Sequence, residues 1–388
     1  MAKLGEYIEQ IRGVSYKPDD LHQSLNKDSV ILLRANNIQD GILNFDDVVY
    51  VDKSKVKSIQ YLQKGDILVC ASSGSKDLVG KASYVKENMN VTFGAFCKIV
   101  RPKISTPKYI AHYFQSSIYR KAISNLSSGA NINNIRNEHI DELTIFLPNE
   151  DIQIRIVNLL DKVSNLIDLR KQQLSKLDEL VKSRFIEMFG DPVFNQYNWD
   201  VVTIGDIVTD ARYGTSKPAV EGGKYPYLRM NNLTYDGHLD LTNLKYIDIP
   251  DSEIEKCIVR KGDILFNRTN SIELVGKTCV YDLDDNMVIA GYIIRVRLCD
   301  KVLPIVLSSY MNLSVLKDQL RSMAKGAVNQ ANINAQELQS VKIYLPPIDL
   351  QNQFATFVEQ TDKLKFEVKQ SLEQLETLKK SLMQQYFG

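Results

Sequence analysis

The chain states nearly the same pattern twice, about 197 residues apart. Leu33-Arg34-Ala35-Asn36-Asn37-Ile38 returns as Leu228-Arg229-Met230-Asn231-Asn232-Leu233, and Lys64-Gly65-Asp66-Ile67-Leu68 as Lys261-Gly262-Asp263-Ile264-Leu265. Leu78-Val79-Gly80-Lys81 returns as Leu274-Val275-Gly276-Lys277, and Ile145-Phe146-Leu147-Pro148 as Ile343-Tyr344-Leu345-Pro346. Each half then closes on a leucine-spaced segment ending in Phe189-Gly190 or Phe387-Gly388. Solenoid units span roughly 20–50 residues, so a repeat this long is a duplicated domain with a helical tail. A pseudo-twofold chain of this kind suits an object that itself has two related halves.

With 388 residues and 44% hydrophobic content the chain can bury two cores. No run approaches the roughly 18 apolar residues of a membrane span. Met1 to Gln10 carries two glutamates and no apolar run, unlike a signal peptide. Five scattered cysteines without a CxxC pair suggest unpaired thiols in a cytosolic protein. Four histidines without a second ligand at metal spacing give no reason to expect a metal. Residues 1–148 carry a net charge of +4 and residues 191–346 a net of −2, within a whole-chain value of +1. A protein gripping nucleic acid alone is usually more basic, so any such binding would use local basic loops and a partner's help.

The pattern predicts an α+β (mixed α/β) fold. Ile31–Arg34, Ile67–Cys70 and Phe96–Val100 read as short strands, and Tyr109–Ala122 and Val306–Met323 as helical. The tails begin after Pro148 and Pro346-Pro347 with Asp-x-Gln, where proline and an acid suit a first helical turn. Apolar residues then recur at seam spacing, including Val163, Ile167, Leu174, Leu177 and Val181 in one tail, with Arg170 and Arg184 at seam positions. The other tail offers Leu364, Val368, Leu372, Leu375, Leu378 and Leu382. Pairing as an antiparallel coiled coil is the expected arrangement, with two separate surface helices as the alternative. The boundaries read as 1–148, 149–190, 191–346 and 347–388.

Gly276-Lys277-Thr278 resembles the end of a phosphate loop, but Ser271 and, in the first copy, Ser75 stand where its first glycine belongs. A hairpin is the better reading. The repeated Leu-Arg-x-Asn-Asn is either a strand followed by an asparagine turn or a base-reading element. In the second case Arg34, Asn36 and Asn37, with Arg229, Asn231 and Asn232, are the types that hold guanine and adenine edges bidentately. Between the Ile-Leu strand and Val-Gly-Lys the copies diverge: Ser72, Ser73 and Lys76 face Arg268, Thr269 and Asn270, in loops one residue different in length. These are either solvated hairpins or loops reading different sequences. Asn131 and Asn133 match Gln330 and Asn332 in position, as phosphate or base contacts or as caps. Lys17, Lys81, Lys217 and Lys277 are candidate phosphate contacts; Lys17-Pro18 aligns with Lys217-Pro218. Asp191-Pro192-Val193-Phe194 lacks the second proline of a methyltransferase quartet, and no glycine-rich cofactor loop or nuclease carboxylate–lysine cluster is evident. Catalysis by this chain alone is not expected, nor a cofactor.

The duplicated Gly-Asp-Ile-Leu…Gly-Lys blocks, the Leu-Pro/Gln helix starts, Phe189-Gly190-Asp191-Pro192 followed by Trp199, and the leucine-spaced tails resemble the specificity subunit of type I restriction-modification enzymes over essentially the whole chain. The resemblance implies two target-recognition domains, each reading half of a bipartite double-stranded DNA site. It implies helices that set the spacing and dock two methyltransferase subunits, with restriction/translocase subunits joining them. It further implies a non-catalytic role in an adenine-N6 methyltransferase/endonuclease complex. A duplicated scaffold binding only proteins, or the specificity subunit of a related methyltransferase-nuclease, remain the other readings.

Overall fold

The computed structural model describes all residues except 40, 76–77, 127–132 and 328–329. It divides into two units, Met1–Arg170 with Gln370–Gly388, and Lys171–Lys369. The two long helices, Glu150–Phe189 and Ile348–Phe387, are each shared between them.

In the first unit an antiparallel sheet runs in the order Ala82–Tyr84, Ile67–Cys70, Cys97–Pro102, Ile8–Arg12. A second sheet runs Val91–Phe93, Ser29–Leu33, Val49–Asp52, Leu21–His22, with its first pair parallel. The second unit repeats the first sheet as Thr278–Val280, Ile264–Asn267, Ile293–Leu298, Val208–Tyr213. Its second sheet pairs Tyr225–Leu228 parallel to Met287–Ile289, as Ser29–Leu33 pairs with Val91–Phe93.

The repeated Lys-Gly-Asp-Ile-Leu explains itself here. Gly65 and Gly262 sit at φ +97° and +92°, a left-handed turn that suits glycine. The aspartate that follows is buried and takes an arginine from the neighbouring strand: Asp66 with Arg101 at 2.7 Å, Asp263 with Arg297 at 2.9 Å. Ile67–Cys70 and Ile264–Asn267 are then buried on both faces. Val-Gly-Lys closes a hairpin onto that strand. A Cβ on Gly80 or Gly276 would stand 2.8 Å from Ile123 or Leu320, so these glycines let a helix approach. Arg120 and Lys317, on those helices, donate to the carbonyls of Val79 and Gly276.

Two sequence expectations change. Tyr109–Ala122 and Val306–Met323 are each broken in two, as Pro107–Phe114 with Ser117–Leu126 and Pro304–Met311 with Ser314–Met323. At the second break Asn312 turns its amide onto Ser308 and Thr278 carbonyls; at the first, the Ser116 hydroxyl accepts from Tyr119 N–H and starts a new helix.

The long helices start alike. Gln153 and Gln351 are buried and donate to the carbonyls of Pro148 and Pro346, which explains the glutamine after each Pro-x-x start. Within the first unit Ile156, Val157 and Leu160 share a core with Met383 and Phe387, and Arg170 donates to Ser371 at 3.2 Å. Within the second, Phe185 and Phe189 pack on Phe354, the Arg184 guanidinium lies 5.7 Å from the Phe357 ring, and Asp178 pairs with Lys365 at 2.7 Å. In each unit early residues of one helix meet late residues of the other, so the packing is antiparallel. Val163, Ile167 and Val368 are buried, and Leu174, Leu177, Val181, Leu375 and Leu382 are half-buried. Leu364 and Leu378 are a correction: they stand 52% and 46% exposed. Strict four-three spacing from Phe354 runs through 358, 361, 365, 368, 372, 375, 379 and 382, so lysines occupy the seam where leucines were expected. Lys365 is tolerated there because Asp178 neutralises it.

Candidate nucleic-acid interface

Each copy builds a concave surface from three loops at the ends of its sheets. The first follows the strands Ser29–Leu33 and Tyr225–Leu228. There the second asparagine of Leu-Arg-x-Asn-Asn is buried and closes the turn: Asn37 Oδ1 accepts from Arg34 N–H at 2.7 Å, and Asn232 Oδ1 from Arg229 N–H at 2.9 Å. Their amide nitrogens donate to backbone carbonyls of Asn44 and Asp47 in one copy and Asp240 in the other. Asn37 and Asn232 are therefore committed to the backbone, while Asn36 and Asn231 remain exposed.

The second loop joins two segments the sequence left separate. Ser72–Ser73 pairs with Asn133–Asn134, and Thr269–Asn270 with Gln330–Asn332. Thr269 is buried and donates to Asn332 Oδ1 at 2.9 Å; Asn270 donates to Asn267 at 2.9 Å and accepts from Ser271 N–H. These three side chains brace the loop. Gln330 is exposed. Lys76 and Asn131 lie outside the described residues.

The third loop is the turn Gly94-Ala95-Phe96, matched by Ala290-Gly291-Tyr292. The Phe96 carbonyl accepts from Ala71 and Ser72 N–H at 2.8 and 3.0 Å, and the Tyr292 carbonyl accepts from Arg268 N–H at 2.9 Å.

Together the loops line a cleft of about 770 Å³ in the first unit, walled by residues 14–16, 34–36, 72–74 and 94–97. The second unit has a cleft of about 580 Å³, walled by residues 215–219, 229–231 and 290–292 with Tyr227 and Arg268. In the first, Arg34 Nη2 and Asn36 Nδ2 both donate to Asp47, at 2.8 and 2.7 Å. In the second, Arg229 Nη2 donates to the Asn243 carbonyl at 3.0 Å, and the Arg268 guanidinium lies over the Tyr213 ring at 4.8 Å. Lys217 lines this cleft and pairs with Glu253 at 3.0 Å. Among the described residues, the lining cations are thus Arg34 in one cleft, and Lys217, Arg229 and Arg268 in the other.

Lys277 is a second correction. It is only 9% exposed, outside the cleft lining, and burial pulls its pKa down, which does not suit a phosphate contact. Lys81 is half-buried and Lys17 exposed; neither lines a cleft. The alignment of Lys17 with Lys217 also slips by one. Val14 bridges Gly94 as Thr215 bridges Ala290, because a bulge between Val208 and Asp210 adds a residue to the second copy's strand. Phe96, Tyr292 and Tyr213, 67%, 50% and 42% exposed, went unnoticed in the sequence. The signal was present: a pair of small residues followed by an aromatic occurs in both copies.

One carboxylate–histidine group arises in the second unit, where Asp178, Asp236 and His238 bring ligand atoms within 4.8 Å of one another. The Lys365 ammonium already sits 2.7 Å from Asp178, so the group reads as an ion-pair cluster.

A family model for the type I restriction modification DNA specificity domain matches residues 8–179 and again 196–377. The chain belongs to that family. Each matched segment contains one of the two clefts. The EcoKI specificity subunit of Escherichia coli K12 is 30% identical, over 100% of this chain and 88% of the relative. The StySPI specificity subunit of Salmonella potsdam is also 30% identical, over 97% and 86%. The fold is shared with a chain of a solved type I restriction-modification system (TM-score 0.58, 18% identity, covering 100% of this chain and 96% of that one). It is shared as well with the S subunit from M. genitalium (TM-score 0.53, 15% identity, covering 100% and 95%). The protein is thus a DNA-specificity subunit, the non-catalytic recognition member of a type I restriction-modification complex. Among the described residues, no helix is long and apolar enough to cross a membrane.

Proposed function

We propose that the two clefts read the two halves of a bipartite double-stranded DNA site. The observation that carries this is the matched framework with a partly divergent lining: corresponding turns and pinned loops present Arg34, Asn36, Ser72 and Ser73 in one copy, and Arg229, Asn231 and Arg268 in the other, so that only the arginine and asparagine of the first loop are shared. Arginine and asparagine side chains on a rigid concave edge suit bidentate base contacts. Lys17, Lys81, Lys217 and Gln330 lie near these groups and suit phosphate contacts that fix register. Asn37, Asn232, Thr269, Asn270 and Asn332 hold the loops.

The recognition domains are 1–148 and 191–346, and the helical segments 149–190 and 347–388 act as spacer and dock. The complex acts in the cytoplasm as an adenine-N6 methyltransferase and endonuclease, with two methyltransferase subunits on the helices and restriction/translocase subunits joining them. Ile152, Leu159 and Leu166 support the docking: seven residues apart and 42%, 37% and 37% exposed, they form an apolar stripe outside the seam. Leu159→Glu with Leu166→Glu should lower the number of methyltransferase copies bound, read by native mass spectrometry; unchanged stoichiometry would move the dock elsewhere. Removing one heptad from both helices shortens each by about 10 Å at 1.5 Å per residue. The methylated site should then lose about three base pairs of spacer at 3.4 Å each and keep both half-sites.

The reading itself is tested by DNA binding of the assembled complex. Arg229→Ala with Arg268→Ala should weaken binding to the recognised site at least tenfold; wild-type affinity would exclude the second cleft.

A further inference from the structure

The two aromatic turns carry side chains to which the cleft reading assigns no role. Phe96 and Tyr292 occupy the same place in the two copies, each the last residue of a tight turn between the parallel-paired strand of the second sheet and an inner strand of the main sheet. The turn is crowded from behind: a Cβ on Gly13 would stand 2.1 Å from the Gly94 carbonyl oxygen, and one on Gly214 2.1 Å from the Ile289 carbonyl oxygen. Small residues precede each aromatic, and the backbone carbonyl of each aromatic is held by neighbouring N–H groups. Backbones pinned in this way present the rings from a fixed base. Yet the two residues are 67% and 50% exposed and line clefts that also present arginine, asparagine and serine side chains. Apolar rings held rigidly beside hydrogen-bonding side chains form a mixed surface, and in the major groove the apolar mark is the thymine C5-methyl group.

Building on the assignment of the clefts to DNA, we propose that Phe96 and Tyr292 are specificity-determining residues, each contacting a thymine methyl group in its own half-site. Hydrogen-bonding side chains read donors and acceptors; the ring adds the one feature they do not sense.

The test uses the complex assembled with its methyltransferase and fluorescent duplexes carrying the recognised site. Thymines of each half are replaced one at a time by deoxyuridine, which lacks only the methyl group, and affinity is read by anisotropy. Wild type should lose about three- to tenfold at one thymine per half. Tyr292→Ala should lose a similar factor on the thymine duplex, become indifferent to deoxyuridine in its own half, and keep the penalty in the other. Tyr292→Phe should behave as wild type. Tyr292→Leu, which keeps an apolar side chain, controls for folding through its melting curve. Equal losses for Tyr292→Ala on thymine and deoxyuridine duplexes at every position, or no loss at all, would overturn the proposal. Should Arg229→Ala with Arg268→Ala weaken binding while Tyr292→Ala does not, only the aromatic assignment fails. Should neither weaken it, the cleft reading fails as well.

Discussion

The two clefts share a frame and differ in what they show to solvent. Behind each lie the same left-handed glycine turn, the same buried aspartate–arginine pair and the same asparagine locked onto backbone. In front, Ala71 in one copy holds the place of Arg268 in the other, since each donates its N–H to the aromatic turn. Arg12 likewise stands where Tyr213 does, by strand register. Asp47 occupies the place of Asn243, so Arg34 meets a carboxylate and Arg229 a carbonyl. Most residues repeated between the copies build the frame; Arg34/Arg229 and Asn36/Asn231 are repeated members of the lining, and much of the rest of the lining diverges. A duplicated frame can therefore read two unrelated sequences without a second fold.

The largest effects should come from the shared frame, equally in both copies. Asp66→Ala or Asp263→Ala leaves a largely buried arginine without its partner, at a cost of about 3 kcal/mol. Chemical denaturation of each variant would check this, and a large inequality between the copies would break the equivalence. The recognised bases should not change.

Next come the lining residues. Arg268→Ala should cost about 1–3 kcal/mol against the cognate base and relax one or two positions of a single half-site. Competition binding with single-base variants of the site reads this directly.

The frame also carries a difference that pH exposes. Lys317 is buried against the Gly276 carbonyl, and burial pushes its pKa down to about 7. Between that value and the unfolded 10.5 the folded state binds fewer protons, so stability of the second unit should rise with pH from about 7. In the first unit Arg120 holds the matching place, donating to the Val79 carbonyl. There the later rise comes from Lys98, which burial pushes down to about 8. Lys317→Met should flatten the pH 7–8 part of the stability profile, and an unchanged profile would show that Lys317 is solvated.

The smallest effect concerns Asp47, an exposed carboxylate worth under about 1 kcal/mol to Arg34. Asp47→Asn should tighten binding to nonspecific DNA a few-fold at low salt; filter binding across a salt series would reveal it.

The duplication, the turn glycines and the helix starts were legible in the sequence because each fixes local backbone geometry within a few residues. The seam was read two residues wrong. Leucine was preferred to lysine at 364/365 and 378/379, although three-four spacing selects the lysines and Asp178 makes Lys365 affordable. The site was half legible. Residue type singled out Asn36 and Asn37 together, but only the three-dimensional turn separates the exposed amide from the one spent on backbone. Lys277 failed for the same reason, since its burial is set by the three-dimensional packing that no local pattern reveals. Phe96 reads from the sequence as the first residue of a strand, yet neither it nor its counterpart Tyr292 is buried.

Independent reading by the two clefts is tested most directly by a methylome of cells in which this subunit works with its methyltransferase. Arg34→Ala and Arg268→Ala would be compared with wild type. If the clefts read independently, the first variant should relax bases in one half-site and the second in the other, with the partner half unchanged in each case. An unaltered motif at normal methylation in both variants, or changes spread over both halves in either, would contradict it.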